Sequence, residues 1–204
     1  MIRRVVDILV SATVLLVLSP LFLAIVIAIR LDSPGKAIYI AWRSGKAGRR
    51  FPMLKFRSMV ADADQRGPAI TSLGDSRITR VGRFLRATKL DEFPQFWNVL
   101  KGDMTLIGPR PEAPEIVECY TSDQKWVFWE RPGLTGPSQI ACSVDESMAV
   151  SVADRAEDYY FKHVLDRKLA MDAEYIRNRS VARDLALVGR TVRLILQAML
   201  RRAA

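Results

Sequence analysis

The chain has 204 residues, half of them hydrophobic, with 31 Lys and Arg against 22 Asp and Glu and a formal charge of +9. A single histidine excludes a His-rich zinc centre and two cysteines outside any CxxC pair argue against a disulfide framework, so a metal would be held by oxygen donors, as Mg2+ or Mn2+ is. The basic excess lies in the first 110 residues, beside a hydrophobic N-terminus; it points to anionic membrane lipids or phosphate-rich substrates, and with no zinc-finger, helix-turn-helix or RNP pattern no nucleic acid is expected.

Ile8 to Ile29 carries no charge. At about 22 residues it is roughly 33 Å long if helical, enough to cross a bilayer and longer than the apolar region of a signal peptide. Ser19-Pro20 falls inside the run and predicts a kink, because proline lacks the amide hydrogen and crowds the preceding turn. Both flanks are basic: Arg3 and Arg4 before, then Arg30, Lys36, Arg43, Lys46, Arg49 and Arg50. Two topologies fit: a kinked helix that crosses, or one that enters, bends and leaves on the same, cytoplasmic side.

Asp32-Ser33-Pro34-Gly35 is a turn signal closing the anchor. Ala37 to Trp42 reads as a strand, 44–48 as a turn, and Phe51 to Met59 as a second extended segment that places Lys55 and Arg57 on one face. Val60 to Arg66 reads as helix, broken at Gly67-Pro68. From Arg77 a basic residue recurs every third position, through Arg80, Arg83 and Arg86 to Lys89. On a helix these are neighbours, and they serve either a bound anion or a solvated face.

Leu90-Asp91-Glu92-Phe93-Pro94-Gln95 opens the most informative stretch. Pro94 belongs in a first helical turn and Gly102 at a helix end, so a helix should start around 91–94 and stop at 102. Asp91 and Glu92 would then face the positive helix end, with Arg86 and Lys89 upstream. That setting is expected to keep both ionised, as an N-terminal cap or as groups able to attack phosphorus or hold a divalent ion. Gly108-Pro109-Arg110-Pro111 presents one guanidinium on a stiffened loop, a fork suited to phosphate oxygens. Arg131-Pro132-Gly133 repeats the pattern.

In order along the chain stand Arg4-Val5-Val6-Asp7, Ser19-Pro20, Lys55-Phe56-Arg57-Ser58-Met59, Leu90 to Gln95, Asn98-Val99-Leu100-Lys101-Gly102-Asp103-Met104, Gly108 to Glu112, Arg131 to Gly136 and Tyr175 to Ser180. This series resembles the bacterial sugar transferase family, the monotopic phosphoglycosyl transferases. The resemblance implies an α+β, mostly helical fold. Residues 1–32 would be a re-entrant membrane anchor helix. Residues 33–204 would be a compact cytoplasmic catalytic domain with short strands and interfacial amphipathic helices, on the inner membrane of a bacterium. It would be a small form, beginning almost at the anchor.

The implied reaction moves a phospho-sugar from a UDP-sugar to polyprenyl (undecaprenyl) phosphate with release of UMP, the first membrane step of capsule, exopolysaccharide, O-antigen or glycoprotein glycan synthesis. The resemblance makes Asp91 the nucleophile that carries a covalent intermediate. Glu92 becomes the second catalytic residue and the ligand of Mg2+, with Mn2+ an alternative. Substrate contacts are expected from Lys55, Arg57, Arg86, Gly108, Pro109, Arg110, Pro111 and Arg131. Expected partners are the UDP-sugar, the polyprenyl phosphate and anionic lipids, with a homodimer admitted. Two other readings fit the same residues: a membrane-tethered, metal-dependent phosphohydrolase, and a non-catalytic scaffold for anionic lipid.

Some positions depart from the family's pattern. Gln139-Ile140-Ala141-Cys142-Ser143 replaces an Asn-Gly-Arg-like stretch, Arg179 stands where an aromatic is frequent, and Ala173-Glu174 follows an acidic position at Asp172. These leave the sugar open. Asp184 to Arg202 reads as an amphipathic helix, able to lie in the interface or to pack on the domain. Trp126, Phe128 and Trp129 read mainly as core, and His163 as structural.

Overall fold

A computed structural model describes residues 2–66, 75–141 and 160–203. Helix α1 (Ile2–Val17) and helix α2 (Ser19–Asp32) meet at a bend of 60°. Pro20 causes it, and the Ser19 hydroxyl donates to Leu16 O at 2.8 Å, satisfying a carbonyl freed by the break. Among the described residues no single helix is long and apolar enough to cross a membrane, and the bent pair alone qualifies, by length and composition. Leu9, Leu16, Val17, Leu23 and Leu31 stand exposed along it.

Strands β1 (Ile38–Ser44) and β2 (Arg50–Phe56) form an antiparallel hairpin in which Tyr39 faces Lys55 and Ala41 faces Met53. After a short helix α3 (Ala63–Arg66), helix α4 (Arg80–Thr88) starts at Thr79, whose side chain accepts from Gly82 N. A 3-10 turn, Leu90–Glu92, leads into α5 (Gln95–Lys101). Gly102 ends α5 in the left-handed conformation, the stop its position predicts. Strand β3 (Thr105–Ile107) pairs in parallel with β4 (Gly133–Thr135). Between them lie α6 (Pro114–Glu118) and a 3-10 segment, Ser122–Trp129. A π turn, Tyr160–Val164, opens α7 (Leu165–Arg177), and α8 (Val181–Ala203) follows. The expected α+β, mostly helical class is what the chain adopts.

Three apolar clusters sit under these elements. Ile25 and Ile29 of α2 pack on Phe56, Leu85 and Leu90. Phe51 and Met53 pack on Val99 and Met104. Tyr120, Leu165 and Leu169 collect Trp126 and Phe128. Trp129, by contrast, is 77% exposed, so the aromatic trio divides.

Both ends of the bent pair are fastened to the same body. At the start, Arg4 donates to Val99 O at 2.5 Å and Leu100 O at 2.7 Å, capping the last turn of α5. Asp7, buried, accepts from Thr105 Oγ1 and Leu106 N. Arg3 pairs with Asp184 at 3.0 Å, and Asp184 also accepts from the Tyr175 hydroxyl. At the far end, Asp32 accepts from Val81 N at 2.9 Å.

Several expectations change. The row of five basic residues does not form on one helix. Arg77 lies ahead of α4, buried, with its guanidinium on Asp75 at 2.7 Å; only Arg80, Arg83 and Arg86 ride the helix. Asp75 neutralises Arg77, and Thr79 sets the helix start beyond it. The helix read over 60–66 is a single turn. The Gly67-Pro68 break and Cys142-Ser143 lie outside the described residues. Helix α8 reaches Ala203, as its pattern predicts; Leu187 is buried and Thr191 meets Thr135, while Leu185, Val188, Val192, Leu196 and Leu200 stay exposed.

Candidate active site

Asn98 fixes the geometry. Its side-chain oxygen accepts from Leu54 N at 2.9 Å, and its amide nitrogen donates to Pro52 O at 2.8 Å. One side chain thus supplies the strand partner that β2 lacks on that edge, and α5 is locked against β2. Just upstream, Lys89 adopts φ +58°, a left-handed conformation uncommon outside glycine. Such outliers concentrate at functional sites. The sharp turn delivers Glu92 onto Lys55 and leaves Asp91 in the field of the same cation.

Lys55 Nζ reaches Glu92 Oε1 at 3.3 Å. Asp91 is 7% exposed, and its Oδ1 is buried with no hydrogen-bond partner among the described residues. Burial, and then the Glu92 charge, push the Asp91 carboxyl up to about 6, against the pull of Lys55, Lys89 and Arg86. Burial also works against ionising Glu92. There Lys55, Arg110 and Lys89 outweigh it and hold the group down, at about 2. Asp91 is thus raised rather than lowered, because desolvation exceeds the helix-end and cationic fields, although a value of about 6 still leaves it mostly ionised at neutral pH. Replacing Glu92 by Gln removes a negative neighbour, so Asp91 should titrate below its wild-type value. Carbon-13 NMR of the carboxyl in metal-free protein reads this directly, and an unchanged or higher value refutes the arrangement.

Arg86 lies within reach of this pair, with Nε donating to Ser58 Oγ at 2.8 Å and its field acting on Asp91. Arg110, half-buried, acts on Glu92. The loop that carries it is stitched to β4. Gly108 N donates to Thr135 O at 3.0 Å, and Gly133 N donates to Pro109 O at 2.7 Å. A Cβ on Gly133 would lie 2.1 Å from Gly108 N, so only glycine admits this approach.

One expected contact is engaged elsewhere. Arg57 is buried and turned away from Lys55. Its guanidinium donates to Ser33 O at 2.6 Å, Pro34 O at 2.7 Å and Ser33 Oγ at 2.9 Å. The strand ends at Phe56, so the alternation that would have kept Lys55 and Arg57 on one face lapses. Arg57 ties the end of the anchor to the domain. Arg57→Met should cost about 3 kcal/mol, because it removes three charge-assisted hydrogen bonds made by a buried side chain, while affinity for UDP stays near wild type. Thermal unfolding with UDP titration checks both parts. Arg131 is exposed and is not among the cations that act most strongly on Asp91 or Glu92; its loop contributes through backbone beside Gly108.

Other charged groups near the site were not singled out as contacts from the sequence. The field of Arg110 acts on Arg43, at the end of β1. Lys168, Tyr160 and Glu112 form a buried cluster behind the Arg110 loop. Each is an ordinary residue in its local string, and only the fold brings them together.

The profile of the bacterial sugar transferase family matches residues 1–198. The chain belongs to this family. It is 38% identical over 198 residues to the UDP-N-acetylgalactosamine-undecaprenyl-phosphate N-acetylgalactosaminephosphotransferase of Aeromonas hydrophila, covering 96% of this chain and 44% of that protein. It is 37% identical over 193 residues to the UDP-glucose:undecaprenyl-phosphate glucose-1-phosphate transferase of Caulobacter vibrioides, covering 93% and 68%. Against the undecaprenyl-phosphate galactose phosphotransferase of Salmonella typhimurium identity is 34% over 210 residues, covering 96% and 40%. The chain thus spans less than half of two of these relatives and about two thirds of the third. Family members at similar identity bear the names of three different sugars, so overall similarity does not select one.

Proposed function

We propose that this chain transfers a phospho-sugar from a UDP-sugar to polyprenyl phosphate, undecaprenyl phosphate in particular, through an ester on Asp91. The observation that carries the reading is the Asp91 carboxyl itself: buried, one oxygen without a partner among the described residues, and flanked by Glu92, Lys55 and Arg86. A carboxylate poorly solvated at neutral pH is a stronger nucleophile than one in water, and nearby cations offset its repulsion from a diphosphate.

In the first half-reaction an Asp91 oxygen bonds to the β-phosphorus. The bond from that phosphorus to the bridging oxygen breaks, and UMP leaves with the electron pair. In the second, a phosphate oxygen of the lipid bonds to the same phosphorus, the ester to Asp91 breaks, and the carboxylate is restored. Lys55 and Arg110, whose fields act on Glu92, would take up the diphosphate charge, and Arg86 keeps a cation beside Asp91.

Mg2+, or Mn2+, fits the donor set. The carboxylates are hard oxygen ligands, and among the described residues no group of three His, Cys, Asp or Glu could hold a metal alone. Glu92 would bind the ion together with diphosphate oxygens, the usual mode for Mg2+. When bound, it would neutralise the charge of the diphosphate.

The anchor reading is a re-entrant hairpin, with the domain on the cytoplasmic face of a bacterial inner membrane. The fastening of Arg4 and Asp7 beside α5 and β3, and of Asp32 beside α4, supports it. A crossing helix would carry its N-terminus about 30 Å from the domain. The exposed apolar side of α8, with Arg183, Arg190 and Arg193 on the polar side, suits the headgroup region. With native cysteines replaced, a cysteine at position 2 should resist an impermeant thiol label in intact cells; labelling from outside refutes the hairpin.

The reaction is tested by screening UDP-sugars for UMP release with undecaprenyl phosphate present and weighing the protein mid-turnover. A phospho-sugar adduct on Asp91 and a sugar-diphospholipid product are expected. UMP release with free sugar phosphate and no lipid product would make the chain a phosphohydrolase instead.

A further inference from the structure

Helix α7 carries two charged side chains into the interior one turn apart, Lys168 and Asp172, each 3% exposed. Burying either charge is unfavourable unless it is paired. Asp172 accepts from Ser138 Oγ at 2.9 Å and Ser138 N at 3.3 Å, just beyond the Gly133–Gly136 segment. Lys168 Nζ donates to Glu112 Oε1 at 2.8 Å and to the Tyr160 hydroxyl at 2.9 Å. That hydroxyl donates to the same Glu112 oxygen at 2.8 Å, and the ammonium lies 4.9 Å from the centre of the Tyr160 ring. Helix α7 therefore grips both arginine-bearing loops at their C-terminal ends.

Glu112 is the residue after Pro111, two beyond Arg110. The backbone of this loop is pinned on either side, Pro109 O by Gly133 N and Glu112 O by Ser44 N at 3.0 Å. With a proline on each side of it, Arg110 has few ways to move except through its own side chain. Among the described residues its field acts on Glu92 at the site and on Glu112 behind it. Lys168 neutralises Glu112. Without that ammonium, Glu112 would become a buried carboxylate competing for the Arg110 guanidinium and would draw it back from Glu92.

We propose that Lys168 is a positioning residue for the donor: by holding Glu112 in an ion pair supported by Tyr160, it leaves the Arg110 guanidinium directed at the diphosphate of the nucleotide sugar. This rests on the donor reading above. It differs from a stabilising role because it acts through one named competitor and one named cation.

The experiment is steady-state kinetics of the full chain in nanodiscs, with UDP-sugar and undecaprenyl phosphate varied separately. Wild-type UMP release is the control for the donor reading itself; if it is absent with every UDP-sugar, that reading fails and the proposal with it. With turnover established, Lys168→Met should lower donor kcat/KM about tenfold or more and leave the KM for the lipid phosphate unchanged. Adding Glu112→Gln should restore donor kcat/KM to within about threefold of wild type, because the competitor is gone. In an Arg110→Gln background, Lys168→Met should have no further effect on the donor. A merely structural peg predicts the opposite: no rescue, equal loss for donor and acceptor, and the same loss with Arg110 absent; any of these overturns the proposal. Should Lys168→Met fail to fold, Tyr160→Phe carries the test, with a donor-selective loss of about threefold expected and an equal loss on both substrates overturning it.

Discussion

Asp91→Asn should give a folded protein that transfers no phospho-sugar, with kcat reduced by about 10⁴ or more, and that is more stable than the wild type at pH 8. The first half follows from removing the nucleophile: an amide cannot form the ester, and binding groups alone do not replace it. The second follows from linkage. The folded-state value near 6 lies above the ordinary 3.8, so the folded protein holds this proton more tightly than the unfolded chain. The group's contribution to stability is greatest below both values and falls as pH rises through 3.8 to 6, by up to about 3 kcal/mol. Asparagine does not titrate, so its advantage should appear above pH 6 and vanish below pH 4. Melting curves at pH 4 and pH 8, beside an assay of UMP release, test both halves. An active Asn variant, or one equally destabilised at both pH values, would contradict the assignment of Asp91 as a buried, desolvated nucleophile.

Gly82→Ala should destabilise the protein by about 3 kcal/mol, against the direction that helix propensity gives. In an exposed helix the change is favourable by about 1 kcal/mol. Here a Cβ would lie 1.9 Å from Ser58 O and 2.5 Å from Ser58 C, both backbone atoms. The Ser58 carbonyl also accepts from Thr79 N, so it is not free to retreat. Helix α4 must lift away from the end of β2, and overpacking of this kind costs about 1–3 kcal/mol or more. The shift also parts Arg86 from Ser58 Oγ and moves Lys89 relative to Asp91. Donor kcat/KM should fall more than about tenfold in the fraction that remains folded. Chemical denaturation with parallel kinetics measures this, and a stabilised, fully active variant would show that α4 does not rest on Ser58.

Much of the chain was legible because its signals are local. Pro94 and Gly102 bound α5 through their own backbone restrictions, and Ser19-Pro20 bends the N-terminal pair for the same reason. The Asp91-Glu92 pair and the proline-flanked Arg110 announce their chemistry within a few residues. The hairpin 38–56 follows from alternation and a turn. Arg57 shows where such reading stops. Its string gives it the same standing as Lys55, yet a strand end one residue after Lys55 turns it toward Ser33 and Pro34. Arg77 illustrates the same limit, since spacing put it on a helix and Asp75 holds it off.

The sequence by itself determined the family, the element boundaries set by proline and glycine, and which residue types could act on a phosphate. Tertiary structure decided which cations meet which carboxylates, that Asp91 is raised rather than lowered, and that both ends of the bent helix pair rest on one body. The reason is range. Local sterics and capping act across a few residues, whereas Lys55 meets Glu92 across 37 positions and Arg4 meets Val99 across 95. Partnerships of that length, and the loss of solvent that sets a carboxyl's proton affinity, exist only once the chain has closed on itself.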